Sequence, residues 1–332
     1  MRIPYVVTVD TEEEWDWPSG YPTRGLTVRN VEQLRRYQDL AERFGVATTY
    51  LVDHAVMADP RGRETILALS ERPRVEIGMH IHPWNTPPLD DRPWAPRHET
   101  YLANLTVPLI EEKLATTYEA LSRSGLQPTS FRGGRYSTNA VVRRFLRDHG
   151  FVVDSSILPY SSWPEEEGSP DFRQVGFEPV RHPPRHPGDR AFWELPLTVS
   201  YTRNPVRFWN AAYQAIRSSP LRHLRLIGIA DRLNLVSRVW LNLEGPDGAK
   251  IDVYLKRILA GKQSAPYLCF SFHSSSLLVG GSNYAPTPGH VERIYQRIES
   301  TFERLAGSPA FQPATLTEIS EILETAACAS SA

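Results

Sequence analysis

The sequence predicts an α/β fold whose parallel strands form a barrel or a distorted barrel. Most strand-like segments are near-continuous apolar runs, which is typical of parallel strands that are buried on both faces. These segments alternate with segments of helical periodicity, and seven or eight such units suggest a barrel. At Gly45, Gly125 and Gly150 a helical segment ends in glycine and a strand-like run follows. Glycine takes the left-handed conformation of a helix C-cap without strain, so these positions indicate helix ends.

The individual elements follow from local patterns. The helix predicted at 28–44 has apolar residues at three- and four-residue steps between charged ones, as in Val31, Leu34, Tyr37 and Ala41. Further helical patterns cover 98–124, 138–149, 288–306 and 317–325. The predicted strands are 4–10, 47–53, 74–82, 129–132, 151–157, 193–199 and 267–273.

Two regions interrupt this alternation. Residues 158–191 are rich in proline, glycine and charge, which is typical of a long surface excursion. Residues 201–262 are expected to be a mostly helical insertion before the last core strand. We therefore expect one domain over 1–325 and a disordered tail over 326–332.

The composition excludes some classes of partner. The 332 residues carry a formal net charge of -1 with acids and bases interspersed, so neither nucleic acid nor an anionic bilayer is an expected partner. No stretch approaches the roughly 18 apolar residues of a membrane span, and the N-terminal apolar run is too short for a signal peptide. With two cysteines, the sequence implies no disulfide framework, and a cytoplasmic location is expected. The sequence does not indicate the oligomeric state of the protein.

Polar side chains collect where several predicted strands end. The C-terminal ends of parallel barrel strands face one side, where active sites lie. A single strand-end aspartate is usually a loop or cap residue, and a single arginine usually forms a salt bridge. Convergence of several such groups favours a site, because core strands tolerate little unpaired charge. The residues in question are Asp10, Glu12, His80, His82, Arg132, Asp154 and His273.

The histidines of EIGMHIHPW stand one residue apart. In a strand, His80 and His82 would lie on one face with Cα atoms about 6.6 Å apart. Two imidazoles at this separation can converge on one zinc ion, whose nitrogen ligands lie at about 2.0–2.1 Å. Asp10 and Glu12 share the same spacing, so one carboxylate could bind metal while the other acts as a base. The alternative is a pair of hydrogen-bonded polar side chains in a loop.

Five segments in order resemble the five motifs of a known family. They are VTVDTEEEWDW, GMHIHP, FRGGRYS, the aspartate of VVDSS, and FSFHSSSL. These segments resemble the motifs of the polysaccharide deacetylases, which are the NodB-homology or carbohydrate esterase family 4 enzymes, and are most similar to the WalW-like branch. The resemblance covers about residues 5–320, with 158–191 and 201–262 outside the shared core. It implies a distorted (β/α) barrel that removes acetyl groups from N-acetylated sugars with one divalent metal, for which we expect zinc.

The resemblance also implies roles near the metal. Asp10 matches the general base. The carboxylate that follows in the family binds the metal, and because Asp-Thr-Glu stands here for the usual Asp-Asp, Glu12 is the expected ligand and Thr11 the alternative. His80 matches the first metal histidine.

Four further roles follow in the same way. Arg132 matches the arginine that orients the base, and Tyr136 would offer a backbone N–H to the oxyanion. Asp154 matches the aspartate that tunes the acid, and His273 matches the general acid.

One departure from the family pattern affects the metal site. The usual second histidine lies four residues after the first, where this sequence has Trp84. Either His82 replaces it as a ligand or metal binding is weak. The second option would favour a metal-independent, allantoinase-like C–N hydrolase on the same fold. A non-catalytic glycan-binding paralogue is a further alternative.

Substrate contacts are less specified. Trp15, Trp17, Trp84 and Trp94 follow the first and third strands and could either stack on sugar rings or close the barrel mouth. Glu194 could bind a substrate hydroxyl or amine, or form a structural ion pair. The expected substrate is an N-acetylated sugar or glycoconjugate, with a lipid-linked or nucleotide-linked N-acetylhexosamine among the possibilities.

Overall fold

The computed structural model describes residues 2–233 and 235–331. The strands are β1 (Ile3–Thr11), β2 (Thr48–Val52), β3 (Val75–Ile81), β4 (Ser130–Gly133), β5 (Val153–Asp154), β6 (Val180–His182), β7 (Phe192–Glu194), β8 (Val199–Tyr201), β9 (Arg238–Trp240), β10 (Leu268–His273) and β11 (Phe311–Pro313). The helices are α1 (Leu34–Arg43), α2 (His54–Ala58), α3 (Pro60–Ser70), α4 (Val107–Ser122), α5 (Ala140–Asp148), α6 (Val206–Arg217), α7 (Leu226–Arg232), α8 (Gly248–Leu259), α9 (Pro288–Ala306) and α10 (Leu316–Ser331).

The main sheet is almost entirely parallel. Its strand order is β10-β1-β2-β3-β4-β5-β7-β6, with β11 beside β1, and only the β6–β7 pair is antiparallel. Strands β8 and β9 form a separate antiparallel pair. Helices connect β1 to β2, β2 to β3, β3 to β4 and β4 to β5, whereas the connection from β5 to its parallel neighbour β7 contains β6 and no helix. The predicted α/β fold with a distorted barrel is confirmed.

Strand β1 shows why the apolar runs form a sheet covered on both faces. Eight of the nine residues of β1 are buried. Its alternate side chains enter two different apolar clusters, since Tyr5 and Val7 pack in one and Val6 packs in the other. A strand buried on both faces cannot alternate apolar with polar residues, so its sequence is a continuous apolar run.

The sheet register aligns the polar strand ends. Asp10 on β1 pairs with His273 on β10. His80 on β3 pairs with Arg132 on β4. Parallel strands in register therefore bring these four side chains to the same end of the sheet.

Several element boundaries differ from the sequence prediction. Of the strand predicted over 151–157, only the two residues of β5 are a strand. The strand predicted over 193–199 contains the end of β7 and the first residue of β8, with irregular chain between them. Helices α2 and α3 were not predicted, although Asp53 and Asp59 cap them with side-chain hydrogen bonds to backbone N–H groups. The helix predicted from 98 begins at Val107, after two short 3-10 turns.

The two regions predicted outside the core have contrasting structures. Residues 158–191 are mostly irregular and contain β6, whereas 201–262 contain α6, α7 and α8 together with β9. Residues 326–331, which were predicted to belong to a disordered tail, lie in α10, and Ala332 is outside the described residues. Within the described part of the chain, no helix is both long and apolar enough to cross a membrane.

Candidate active site

A cavity of about 340 Å³ lies at the carboxyl ends of β1, β3, β4 and β10. Its polar wall contains Asp10, Glu12, His80, His82 and His273. Its other walls are largely aromatic, formed by Trp15, Trp17, Tyr21, Trp84, Tyr101, Tyr136, Trp163, Trp240 and Tyr284. Titratable groups that converge in an apolar cavity are typical of an active site.

Glu12, His80 and His82 are buried and form a candidate metal-binding group. The two Nε2 atoms are 3.1 Å apart. Oε2 of Glu12 lies 3.2 Å from Nε2 of His82 and 3.7 Å from Nε2 of His80. The alternative ligand, Thr11, directs its hydroxyl to the carbonyl of Val9 instead.

These distances fit a small divalent cation. Two ligands of a tetrahedral zinc ion at about 2.0–2.1 Å lie roughly 3.3 Å from each other, close to the three separations between the ligand atoms. Oε1 of Glu12 and Nδ1 of His80 are buried without a hydrogen-bond partner. Burial lowers the pKa of His80 to about 3, so its ring is neutral at pH 7, the form that binds a metal. The donor set of two imidazoles and one carboxylate suits zinc.

The Nδ1 side of the His82 ring contacts the carboxylate of Glu13, which was not predicted from the sequence. Nδ1 of His82 lies 3.1 Å from both carboxylate oxygens of Glu13. The indole of Trp84 stacks on the His82 ring at 4.0 Å and donates its N–H to Glu13. A carboxylate behind a histidine fixes the ring orientation and leaves the other nitrogen for a metal.

The protonation states of Glu13 and Asp53 depend on each other and on His82. Burial opposes ionisation of Glu13, but His82 lowers the pKa of Glu13 to about 2. Burial and the charge of Glu13 raise the pKa of Asp53 well above its usual value, so Asp53 is protonated and shares a hydrogen bond with Glu13. Glu13, Asp53 and His82 form a second group of potential metal ligands.

Asp10 is held by the largest fully buried side chain of the described residues, Arg132. Nη1 of Arg132 donates to Oδ1 of Asp10 at 2.6 Å and to the hydroxyl of Thr8 at 2.9 Å. The rest of the guanidinium is fixed by the carbonyl and hydroxyl of Ser155. Burial alone would raise the pKa of Asp10, but the charge of Arg132 holds it below its usual value.

His273 is supported by Glu244 and not by Asp154. Nδ1 of His273 lies 2.7 Å from Oε1 of Glu244, whose other oxygen accepts the backbone N–H of His273 at 3.1 Å. Nε2 of His273 faces Oδ2 of Asp10 at 3.9 Å. Burial opposes a charge on His273, yet Glu244 is the largest of the influences that raise its pKa to about 10.

The prediction that Asp154 supports His273 therefore needs correction. Among the described contacts, Asp154 accepts hydrogen bonds from Thr138 at 2.7 Å and from the backbone and hydroxyl of Ser156. Ser156 in turn binds the backbone N–H of Gly133 at 2.8 Å. Through these hydrogen bonds Asp154 fixes the loop beside Arg132.

Two other predicted residues have different outcomes. Glu194 forms ion pairs with His182 at 2.6 Å and Arg143 at 3.8 Å and is not among the residues that line the cavity. Tyr136 lines the cavity, and both Tyr136 and Arg135 have left-handed backbone conformations with φ of 59° and 53°. Such strain in non-glycine residues is concentrated at functional sites.

The turn after β4 approaches the metal group closely. A Cβ added at Gly134 would clash with the His82 ring and would lie 2.6 Å from the carbonyl of Ile81. Only glycine fits here, so the FRGGRYS segment carries Arg132 and Tyr136 past His82 without displacing it.

The overall fold was compared with known proteins. No family model and no curated protein matches the chain. Among solved structures, a Mycobacterium smegmatis protein described as a polysaccharide deacetylase matches with a TM-score of 0.50 and 15% identity, over 98% of this chain and 91% of that one. A Pseudomonas aeruginosa protein with the same description has a TM-score of 0.51 and 14% identity, over 97% and 90%.

The chain has the fold of these polysaccharide deacetylases. The resemblance inferred from the five motifs is thereby confirmed at the level of the fold. The comparison covers nearly the whole chain.

Sequence reasoning missed three carboxylates of the site. Asp53 follows directly on β2, so the strand-end rule could have identified it. Glu13 belongs to the acidic run after Asp10, but its direction toward His82 depends on the turn that ends β1. Glu244 lies in the loop after β9, inside the predicted insertion, and its sequence context carries no signal. Of the four tryptophans predicted near the site, Trp94 is half-exposed and lies outside the cavity wall.

Proposed function

We propose that the protein is a metal-dependent hydrolase that removes the acetyl group from an N-acetylated sugar or glycoconjugate. The observation that carries the proposal is the convergence of three separate groups in one aromatic cavity. These are the candidate ligands Glu12, His80 and His82, the pair formed by Asp10 and Arg132, and the pair formed by His273 and Glu244. Amide hydrolysis needs one base, one acid and charge stabilisation of the tetrahedral oxygen, and these groups supply candidates for each.

Glu12, His80 and His82 would hold the divalent metal, with zinc as the proposed ion. When bound by such ligands, a divalent ion lowers the pKa of a water molecule toward 7 and polarises a carbonyl oxygen.

Asp10 is the proposed general base. Its second oxygen, Oδ2, is not the one bound by Arg132 and faces the cavity side occupied by His273. The Arg132 charge keeps Asp10 ionised and its hydrogen bonds fix the carboxylate, so Oδ2 can accept the proton of an attacking water without reorganisation.

His273 is the proposed general acid, and Glu244 is its positioning residue. The Glu244 carboxylate accepts a hydrogen bond from Nδ1–H and stabilises the protonated ring of His273. Nε2, which faces the cavity, therefore also carries a proton. Nε2 then gives that proton to the departing amine. The edge of Trp17 packs on the His273 ring at 5.3 Å and limits its rotation.

The remaining walls suit a sugar substrate. The backbone N–H of Tyr136 is the proposed donor to the tetrahedral oxygen, by analogy with the matched motif. Aromatic faces with polar edges bind sugar rings well, and Trp15, Trp17 and Trp84 line the cavity beside the polar wall.

The proposal is tested by following acetate release from a panel of N-acetylated hexosamine glycosides and oligosaccharides. We expect release that stops after treatment with a chelator and returns on addition of zinc or cobalt. Activity that is unchanged after metal removal would contradict the metal-dependent reaction. Glycan binding without release of acetate from any substrate would contradict the enzymatic proposal.

The Glu244→Gln variant should lose activity on the alkaline side of the pH profile. A general acid works only when protonated, and Glu244 raises the pKa of His273 to about 10 against the effect of burial. Loss of the Glu244 charge lowers the His273 pKa, so the alkaline limb of kcat/KM moves to lower pH. The control is Glu299→Gln, which removes a carboxylate from a surface ion pair with Arg43. An unshifted alkaline limb in Glu244→Gln would show that His273 is not the acid or that Glu244 does not act through it.

A further inference from the structure

The helical insertion carries an unusual apolar surface. Large apolar side chains that are 37–62% exposed cluster within residues 208–235, and we call this surface the α6–α7 face. Its apolar members are Phe208, Leu224, Leu226, Ile229, Leu233 and Leu235. Exposed apolar side chains are ordinary when scattered, but a cluster of this kind marks an interaction surface.

The spacing of these residues is that of one helical face. Leu226, Ile229 and Leu233 recur at three- and four-residue steps along and just after α7, so they point to the same side. Ile227 and Ala230, on the other side of α7, line a second cavity of about 360 Å³, and Leu226 at the start of the helix also lines it. The helix therefore has one apolar side turned to the protein and another turned to solvent.

The two helices of this face differ in their contact with the core. In α6, Val206, Trp209 and Tyr213 pack partly buried against the second core cluster, whereas α7 has no buried residue among its described residues. The exposed side of α6 is also apolar, since Phe208, Ala211 and Ala215 follow one another at helical spacing and are exposed. Folding stability does not explain why these positions are apolar.

The same segment is strongly basic. Residues 203–235 contain six arginines and a single acidic residue, Asp231, which is a formal charge of +5 in a chain whose total is -1. Asp231 is paired with Lys250 at 2.8 Å. Arg203, Arg225 and Arg232 are exposed. Cationic charge interleaved with exposed apolar side chains is the pattern of a helix that lies in a membrane interface.

We propose that the α6–α7 face docks on the surface of a lipid bilayer that contains anionic phospholipids. Charge complementarity selects this occupant, because the arginines are attracted to an anionic surface and the apolar side chains enter the headgroup boundary. A second copy of the chain would bring two copies of the basic segment 203–235 together, which like-charge repulsion opposes. A nucleic acid would satisfy the arginines but leave the apolar side chains without a partner.

The face is structurally joined to the candidate active site. Strand β9 follows the face directly and places Arg238 in the wall of the second cavity. Trp240, two residues later, lines the candidate active-site cavity. Docking through the face would thus be transmitted to β9, which forms one wall of the candidate active site. Membrane binding itself does not depend on the proposed reaction.

Vesicle flotation with the full-length protein tests the proposal. We expect binding to phosphatidylcholine vesicles that contain phosphatidylglycerol, weak binding to pure phosphatidylcholine, and loss of binding as salt screens the arginines. Two double variants are informative: Ile229→Ser with Leu233→Ser, and Arg225→Glu with Arg232→Glu. Each should reduce the vesicle partition coefficient at least about tenfold, because one removes two apolar side chains and the other reverses two positive charges of the face that contacts the bilayer. The matched control is Val107→Ser with Val279→Ser, which removes equally exposed apolar side chains elsewhere.

Two results would overturn the proposal. One is equal binding of the parent, the variants and the control to anionic vesicles, or no binding by any of them. The other is a concentration-dependent dimer, detected by light scattering, that the Ile229→Ser, Leu233→Ser variant abolishes while vesicle binding is absent. Acetate release from a water-soluble substrate should be unchanged in both double variants, which separates failure of the docking proposal from failure of the proposed reaction.

Discussion

Replacing Asp10 with asparagine should lower kcat for acetate release by about 10²–10⁴-fold, the usual contribution of a general base. Asparagine has nearly the same shape and still accepts the hydrogen bond from Arg132, but it cannot take a proton from water. The bound metal should be retained, because the candidate ligands are Glu12, His80 and His82. Metal content by elemental analysis and kcat by acetate release are the two measurements.

The matched control for this variant is Asp171→Asn, which alters an exposed aspartate paired with Arg173. It should retain parent activity and metal. If Asp10→Asn lost its metal together with its activity, Asp10 would be a ligand and the assignment of a separate base would be wrong. Activity near that of the parent would also contradict the assignment.

Replacing His82 with alanine should remove most of the bound metal and, with it, the acetate release. His82 supplies one of the two imidazole nitrogens of the candidate group, and its ring nitrogens face Glu12 on one side and Glu13 on the other. We expect metal affinity to fall by more than about 100-fold, which exceeds the effect expected for loss of an outer carboxylate alone. Chelator competition measures that affinity independently of activity.

Loss of His82 also leaves the buried Glu13 carboxylate without the ring nitrogen that lies 3.1 Å from it, which can cost about 3–5 kcal/mol of stability. A second variant, Glu13→Gln, therefore accompanies it. This change keeps the shape of the side chain, and it should lower metal affinity by about 10–100-fold while the protein remains folded. His98→Ala, at an exposed histidine, is the control for both. Full zinc occupancy and activity in His82→Ala would contradict the ligand assignment.

The part of the site that lies on strands was predictable from the sequence. A buried parallel strand shows itself as an apolar run, and the polar residue that ends the run must lie at the carboxyl edge of the sheet. Asp10 and His273 were recognised in this way, and the sheet register pairs them directly. His80 and Arg132 are a second pair of the same kind.

The residues that support the site were harder to predict, because their directions are set by turns. Glu244 lies in a loop after a short edge pair of strands, and only the folded chain brings it within 2.7 Å of His273. Asp154 matched the expected motif, yet its carboxylate accepts hydrogen bonds from Ser156 and Thr138. The sequence motif identified a residue of the right type, and loop geometry assigned its partner.

Trp84 illustrates how one substitution alters a site without removing it. The tryptophan stands where the resembled family has its second histidine. Here its ring stacks on His82 and its N–H binds Glu13. The side chain that replaces a ligand thus steadies the histidine proposed to act in its place.

Anomalous scattering from a crystal grown with zinc tests the central claim most directly. The account predicts one strong peak within about 2.0–2.2 Å of an oxygen of Glu12 and of Nε2 of both His80 and His82. Asp10 and His273 should lie beside this peak without coordinating it. A peak bound instead by Glu13, Asp53 and His82, the other candidate group, would contradict the account, as would the absence of any peak in this cavity.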